Sequence, residues 1–241
     1  MIKSHKVFID MDDVLCRWSK QFWNVVHTER PDLIQLRNEI RDLEDHETLK
    51  NVEHYYRVPN KEFLNQEEFY EVHLKQRPMA LISDEQLALW KQYKDKRDLL
   101  QSSVNSVVQS RFDNFWIDIE PDEHLSIFMD WVTSNLDEHP TILTAPLWTD
   151  TTKELKDQCF KQKLQWVHKH LNNWPISFVC ERDKGKFANV HKESHSILID
   201  DRYKNLHAWK NNGGISVFHN PWLTNPLLHT TRNLKQLKET L

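Results

Sequence analysis

Two pairs of aspartates are the residues of this chain best suited to chemistry. Asp10 and Asp12 stand one residue apart at the end of the apolar run Val7-Phe8-Ile9, and Asp200 and Asp201 close a second run, Ile197-Leu198-Ile199. Carboxylates crowded at the end of a buried strand repel one another and resist ionisation, so a cation has to offset them. With the two strands side by side, the acids form a site suited to magnesium, which prefers carboxylate oxygens and water. An acidic turn without chemistry is the plain alternative for either pair taken alone.

Positioning such acids needs strands that deliver them to one edge of a sheet. Similar short apolar runs recur at Thr141-Ile142-Leu143 before Thr144, at Ile176 to Val179 before Cys180, and at Ile215 to Phe218 after Gly213-Gly214. Each is β-branched or aromatic and bounded by polar residues, as buried strands are. Between them lie helical patterns at Glu123 to Asn135, Lys153 to Leu171, and Tyr203 to Asn211, the last closed by Gly213. Strands alternating with helices predict an α/β fold with a doubly wound parallel sheet, whose ligands bind beyond the C-terminal ends of the strands.

The stretch 17–116 breaks the alternation. Leu33, Leu36, Ile40 and Leu43 recur at helical spacing between Asp32 and Glu44, and Leu87, Trp90 and Tyr93 do so in a second pattern from Ser83 to Arg111. Ser83 and Gln86 have the spacing of a capping box. The organisation expected is a core of 1–16 and 117–241, with a helical cap of 17–116 inserted after the first strand.

Composition narrows the chemistry further. The chain has 241 residues, 28% of them charged, and a net charge of −4, which offers no general attraction to nucleic-acid phosphates. Only Gly185, Gly213 and Gly214 are glycines, so a glycine-rich phosphate cradle is absent, and any phosphate must be held by side chains, a metal and helix ends. No run reaches the roughly 18 apolar residues of a membrane span, and acids follow the first few residues where a signal peptide needs an apolar stretch. Cys16, Cys159 and Cys180 lack zinc-site spacing and are expected to be reduced core thiols, so the expected location is the cytoplasm. His168 and His170 are two residues apart and so lie on different helical faces, with no third ligand at metal spacing.

The Asp10-Met11-Asp12-Asp13-Val14 segment, the strand ending in Thr144, Lys184, and the late Asp200-Asp201 pair resemble, in order, the four motifs of the haloacid dehalogenase superfamily of phosphatases. Within it the chain is most similar to the 5'(3')-deoxyribonucleotidases. That narrower likeness rests on Phe115-Trp116, Ile119-Glu120-Pro121, Lys163-Leu164-Gln165-Trp166-Val167, Arg182-Asp183-Lys184 and Ile197 to Arg202. The resemblance implies that Asp10 attacks phosphorus to form an aspartyl-phosphate and that Asp12 serves as general acid and then base. It implies magnesium held by Asp10, Asp200 and the backbone carbonyl of Asp12, with Asp201 close by. Thr144 would bind a phosphoryl oxygen and Lys184 would balance its charge, with Lys186 or Lys163 as other sources of positive charge. Asp13 stands where glycine is common in the family, and Ala145 where the nucleotidases usually have serine.

A nucleoside monophosphate is the expected substrate. Trp18, Phe22 and Trp23 follow the first strand at helical spacing and are either buried core or the wall of a pocket for a flat group. The alternatives are a phosphatase for another small ester or a nucleic-acid 3'-phosphate end, and a non-catalytic binding protein on the same fold.

Overall fold

A strand buried on both faces reads as a mostly apolar run, and apolar residues make up most of the five strands of this chain. The computed structural model describes residues 5–45, 84–111, 113–145, 152–172, 174–179, 181–188, 196–221 and 223–240. Strands β1 (Val7–Ile9), β2 (Thr141–Thr144), β3 (Ile176–Phe178), β4 (Ile197–Asp200) and β5 (Ile215–Phe218) form one parallel sheet in the order β3-β2-β1-β4-β5. Phe8 lies opposite Thr141 on one side and Leu198 on the other. The chain winds outward from β1 through β2 to β3, then crosses back to β4 and β5. With right-handed crossovers, the two halves carry their helices on opposite faces, so the sheet is the doubly wound, Rossmann-like α/β form expected from the alternation.

The helices are α1 (Trp18–Glu29), α2 (Pro31–Asp45), α3 (Asp84–Ser110), α4 (Leu125–Asn135), α5 (Lys153–His170), α6 (Tyr203–Asn211) and α7 (Pro226–Thr240), with a 3-10 helix at Glu181–Phe187. Two differences from the sequence reading have local causes. Helix α4 starts at Leu125 instead of Glu123, because the Asp122 carboxylate accepts the His124 amide and holds the chain in a turn there. Helix α5 stops at His170, where Leu171 leaves helical geometry while its amide still reaches the Val167 carbonyl. Ser83 and Cys180 lie outside the described residues.

The chain divides into two compact units, one of residues 1–23 and 111–241 and one of residues 24–110. Trp18, Phe22 and Trp23 therefore belong to the same unit as the acids. In the second unit α2 lies along α3. Leu33, Leu36 and Ile40 are buried on α2, as are Tyr93, Val104, Val107 and Val108 on α3, and Lys96 pairs with Glu39 at 2.5 Å.

The core of the first unit that bears on the site is the cluster of Phe8, Leu143, Ala188, Leu198, Leu206 and Trp209. It fixes the strand carrying Asp10, the strand carrying Asp200 and helix α6 against one another. Two glycines allow close approach here. A Cβ on Gly185 would lie 3.0 Å from the Ala208 carbonyl oxygen, and one on Gly214 would overlap the Trp209 indole. Gly213 has a φ of 84°, the left-handed geometry that glycine adopts without strain as it ends α6.

Candidate active site

The order of strands reverses between β1 and β4, and this is the crevice where doubly wound sheets bind ligands. Asp10 directly follows β1, and Asp200 is the last residue of β4. The Asp10 amide donates to the Ile199 carbonyl at 2.9 Å, which locks the two strand ends together. Carboxylate oxygens of Asp10, Asp200 and Asp201 lie within 4.8 Å of one another, so the two acidic pairs of the sequence do meet.

Two buried lysines face these acids. Lys184, carried on the 3-10 helix beside Gly185, is 3.0 Å from Asp10 and 2.8 Å from Asp200. Lys186 is exposed. Lys163, from α5, donates to Asp12 Oδ2 at 2.5 Å, to Thr144 Oγ1 at 2.8 Å and to the Ala145 carbonyl at 2.9 Å. Lys163 is buried, its side chain 1% exposed. A signal for this was present in the sequence. The buried face of α5 comprises Leu155, Cys159, Gln162, Lys163, Trp166 and Val167, so Lys163 occupies a position on the apolar stripe. That face is anchored by the Gln162 side chain, which accepts the Trp116 amide, and by the Trp166 indole, which donates to the Ile119 carbonyl.

Four carboxylates, Asp10, Asp12, Asp200 and Asp201, stand against two ammonium groups, which leaves an excess of two negative charges when all are ionised. Burial and this crowding raise the proton affinities of Asp12, Asp200 and Asp201. Burial and the neighbouring Asp10 push Asp200 up to about 6, and the same two causes, joined by Asp200, push Asp201 up to about 8. Burial raises Asp12 as well, against the pull of Lys163, and both lysines are held above the usual lysine range by the acids they touch. A divalent cation would balance the excess, and the donors on offer are all oxygens, the set magnesium prefers.

Individual atoms differ in what they have left to do. Asp10 accepts from the Met11 amide through Oδ1 and faces Lys184 through Oδ2. Asp12 uses only Oδ2; its Oδ1 is buried with no hydrogen-bond partner among the described residues. Thr144 is buried, and its oxygen accepts from Lys163, which leaves the hydroxyl proton free to donate. Both Asp200 oxygens accept hydrogen bonds: Arg202 donates its amide to Oδ1 at 2.8 Å, and the Asn205 side chain reaches both oxygens at 3.0 Å. Asn205 escaped sequence reasoning, although an asparagine in the first turn of the helix after an acidic pair is a readable signal.

Asp13 occupies the left-handed region, with a φ of 57°, a conformation that aspartate adopts more readily than most residues other than glycine. Its carboxylate accepts the Ser19 amide at 2.8 Å and the Ser19 hydroxyl, tying the loop to the start of α1. On that helix the Trp18 ring is partly exposed and stacks on Phe22 with centroids 5.3 Å apart, while Phe115 meets its edge. Phe22 is buried and Trp23 is partly exposed.

No family model matches the chain, and no curated protein matches it. Solved structures do match over nearly their full length. A haloacid dehalogenase-like hydrolase from Streptococcus pneumoniae is 13% identical, with 100% of both chains covered and a TM-score of 0.42. The hydrolase YfnB from Bacillus subtilis, solved with magnesium bound, is 10% identical over 96% of this chain and 98% of its own, with a TM-score of 0.47. A haloacid dehalogenase-like hydrolase from Xanthomonas campestris is 11% identical over 99% and 93%, with a TM-score of 0.48. Among the described residues no helix is long and apolar enough to cross a membrane.

Proposed function

We propose that the protein is a magnesium-dependent phosphoric monoester hydrolase that works through Asp10, and that nucleoside monophosphates are its substrates. The observation that carries this reading is the pairing of Asp10, set among acids at the switch of the sheet, with an Asp12 whose Oδ1 is buried and unpaired. An Asp10 oxygen attacks phosphorus while the ester oxygen departs, and Asp12, whose proton affinity burial raises, gives a proton to the leaving alcohol. Asp12 then takes a proton from the water that attacks the phosphorylated Asp10, which releases phosphate and restores both carboxyl groups.

Lys163 orients Asp12 by holding the oxygen that does not carry the proton, and Thr144 presents its hydroxyl to a phosphoryl oxygen. Lys184 stabilises charge gathering at phosphorus from beside Asp10. Asp10, Asp200, Asp201 and the Asp12 carbonyl are the groups that would hold magnesium. The ion would supply charge neutralisation between carboxylates and phosphate. Replacement of a carbon-bound halogen also begins with carboxylate attack, but a halide leaves as a stable anion and needs no proton donor. The raised proton affinity of Asp12 favours an ester. A nucleoside is favoured over a sugar because the groups above read only phosphate, and the partly exposed Trp18 ring, on the helix whose Ser19 is bound by Asp13, offers a stacking face.

The test is phosphate release from a panel of nucleotides, sugar phosphates and p-nitrophenyl phosphate, with magnesium or with chelator. Release from nucleotides should require magnesium and fall at least about a hundredfold in Asp10→Asn. Magnesium-independent release, or an active Asp10→Asn, would refute the mechanism, and a preference for sugar phosphates would refute the substrate class.

A further inference from the structure

The turn that carries Asp12 closes on a single carbonyl. The amides of Val14, Leu15 and Cys16 converge on the Met11 oxygen, at 3.3, 3.0 and 3.2 Å. Where the turn ends, the main chain is bound to the segment 120–122: the Arg17 amide donates to the Glu120 carbonyl and the Asp122 amide to the Leu15 carbonyl, each at 2.9 Å. Asp13 stands inside this turn, joined to Asp12 by a peptide bond and held at a φ of 57°.

The Asp13 carboxylate serves a helix whose own first residues cannot serve themselves. Arg17 precedes α1, and its carbonyl accepts the first helical bond, from the Gln21 amide at 3.1 Å. An arginine side chain offers donors alone, so it cannot accept the free amides of the first turn, and that turn contains no acid. Asp13 supplies the acceptor from outside the helix: Oδ1 accepts the Ser19 amide at 2.8 Å, and Oδ2 accepts the Ser19 hydroxyl. A carboxylate at this end also complements the helix dipole. Both oxygens are thereby engaged by α1, whereas the acids grouped closely enough to hold a cation are Asp10, Asp200 and Asp201.

We propose that Asp13 is a positioning residue: its carboxylate clamps the turn of Asp12 to the first turn of α1 and so fixes the aim of the Asp12 carboxyl group. Glycine would adopt the same backbone conformation at less cost, so what the aspartate adds is its side chain. The clamp itself stands on these hydrogen bonds; its catalytic consequence rests on the reading of Asp12 as proton donor in a phosphohydrolase. A general acid must lie within hydrogen-bond reach of the oxygen it protonates, and a displacement of about 1 Å can cost about 100-fold in rate.

The experiment compares the full chain with Asp13→Gly, Asp13→Asn and Ser19→Ala. Glycine relieves the backbone but removes the carboxylate. Asparagine keeps the left-handed conformation, an acceptor for the Ser19 amide and a donor for its hydroxyl. Hydrogen exchange at Ser19 should be about fivefold faster in Asp13→Gly, the factor that a helix cap is worth, and close to wild type in Asp13→Asn. In steady-state hydrolysis, Asp13→Gly should lower kcat on the best alkyl phosphate about tenfold or more with little change in KM, and lower kcat on p-nitrophenyl phosphate much less, because that leaving group needs no proton. Asp13→Asn should recover most of the loss. Ser19→Ala keeps the amide bond and should move both readouts the same way by a smaller factor; it decides the matter if Asp13→Gly does not fold. Unchanged exchange at Ser19 in a folded Asp13→Gly chain overturns the proposal, as do equal losses on the two esters or equal damage from glycine and asparagine. A wild-type chain that hydrolyses no ester would defeat the functional reading, while exchange at Ser19 would still decide whether the clamp exists.

Discussion

Replacing Lys163 by methionine removes the cation beneath Asp12 while keeping most of the buried side chain. The ammonium makes one charge-assisted hydrogen bond to Asp12 and two more, to Thr144 and the Ala145 carbonyl. Removing one member of a buried ion pair costs about 3 to 5 kcal/mol when the other stays charged. The Asp12 side chain is 30% exposed and its proton affinity is already raised, so it relieves part of this by taking up a proton. The Thr144 hydroxyl can turn to another partner, while the Ala145 carbonyl loses a strong donor. A net loss of about 3 kcal/mol is expected, from the lower end of that range. Urea unfolding at pH 7, read by tryptophan fluorescence, measures it, with an unchanged slope showing that the midpoint shift is a change in stability. The double variant Asp12→Asn/Lys163→Met should be more stable than the sum of the single losses predicts by about 1.5 kcal/mol or more, because the two groups interact directly. A loss under about 1 kcal/mol, or simple additivity, would refute the view that this lysine holds Asp12 in place.

Asp12→Asn should cut turnover of alkyl phosphates far more than that of p-nitrophenyl phosphate, whose leaving group needs no proton; equal losses would remove Asp12 from the proton-donor role. Asp200→Asn should raise the magnesium concentration for half-maximal activity at least about tenfold, and an unchanged requirement would take Asp200 out of the metal site. Trp18→Ala should weaken nucleotide binding by about 1 to 3 kcal/mol and leave p-nitrophenyl phosphate nearly unaffected, whereas Phe22→Ala should mainly destabilise the fold; equal losses on both substrates for Trp18→Ala would make that ring core alone. Cys16 and Cys159 are buried, and burial pushes the Cys159 thiol up to about 12. In a Cys180→Ser chain, a thiol reagent at pH 8 should therefore react only after denaturant is added, and rapid labelling of the native chain would contradict this packing.

The strands were readable because each is a short apolar run with polar residues at its end, and the ends of β1 and β4 bear acids that would be costly in any other place. That these two acidic ends meet was readable only as a condition on strand order, which local sequence does not encode; the pairing of Ile9 with Ile199 supplies it. Lys184 was legible from its order among the motifs, whereas the depth of Lys163 was obscured because lysines are ordinarily exposed and its partner lies far away in sequence. Helix α7 went unread: its buried face mixes Leu227 and Leu234 with Thr230 and Thr231, so its apolar pattern is sparse. His219 was one of fourteen histidines, and nothing local distinguishes it, since its hydrogen bonds reach Asp200 and Thr230.

Neighbouring strands β1 and β4 are separated by most of the chain, including the whole of the second unit. Bringing such distant segments together costs loop entropy before any pairing energy is returned, so this junction is among the slower contacts to form during folding. Asp10 and Asp200 become neighbours only through it. A nascent or refolding chain can therefore possess most of its helices and two or three paired strands while having no assembled cluster of acids. Recovery of magnesium binding during refolding would then trail recovery of helical signal, and the ion would act as a timer for the last long-range step.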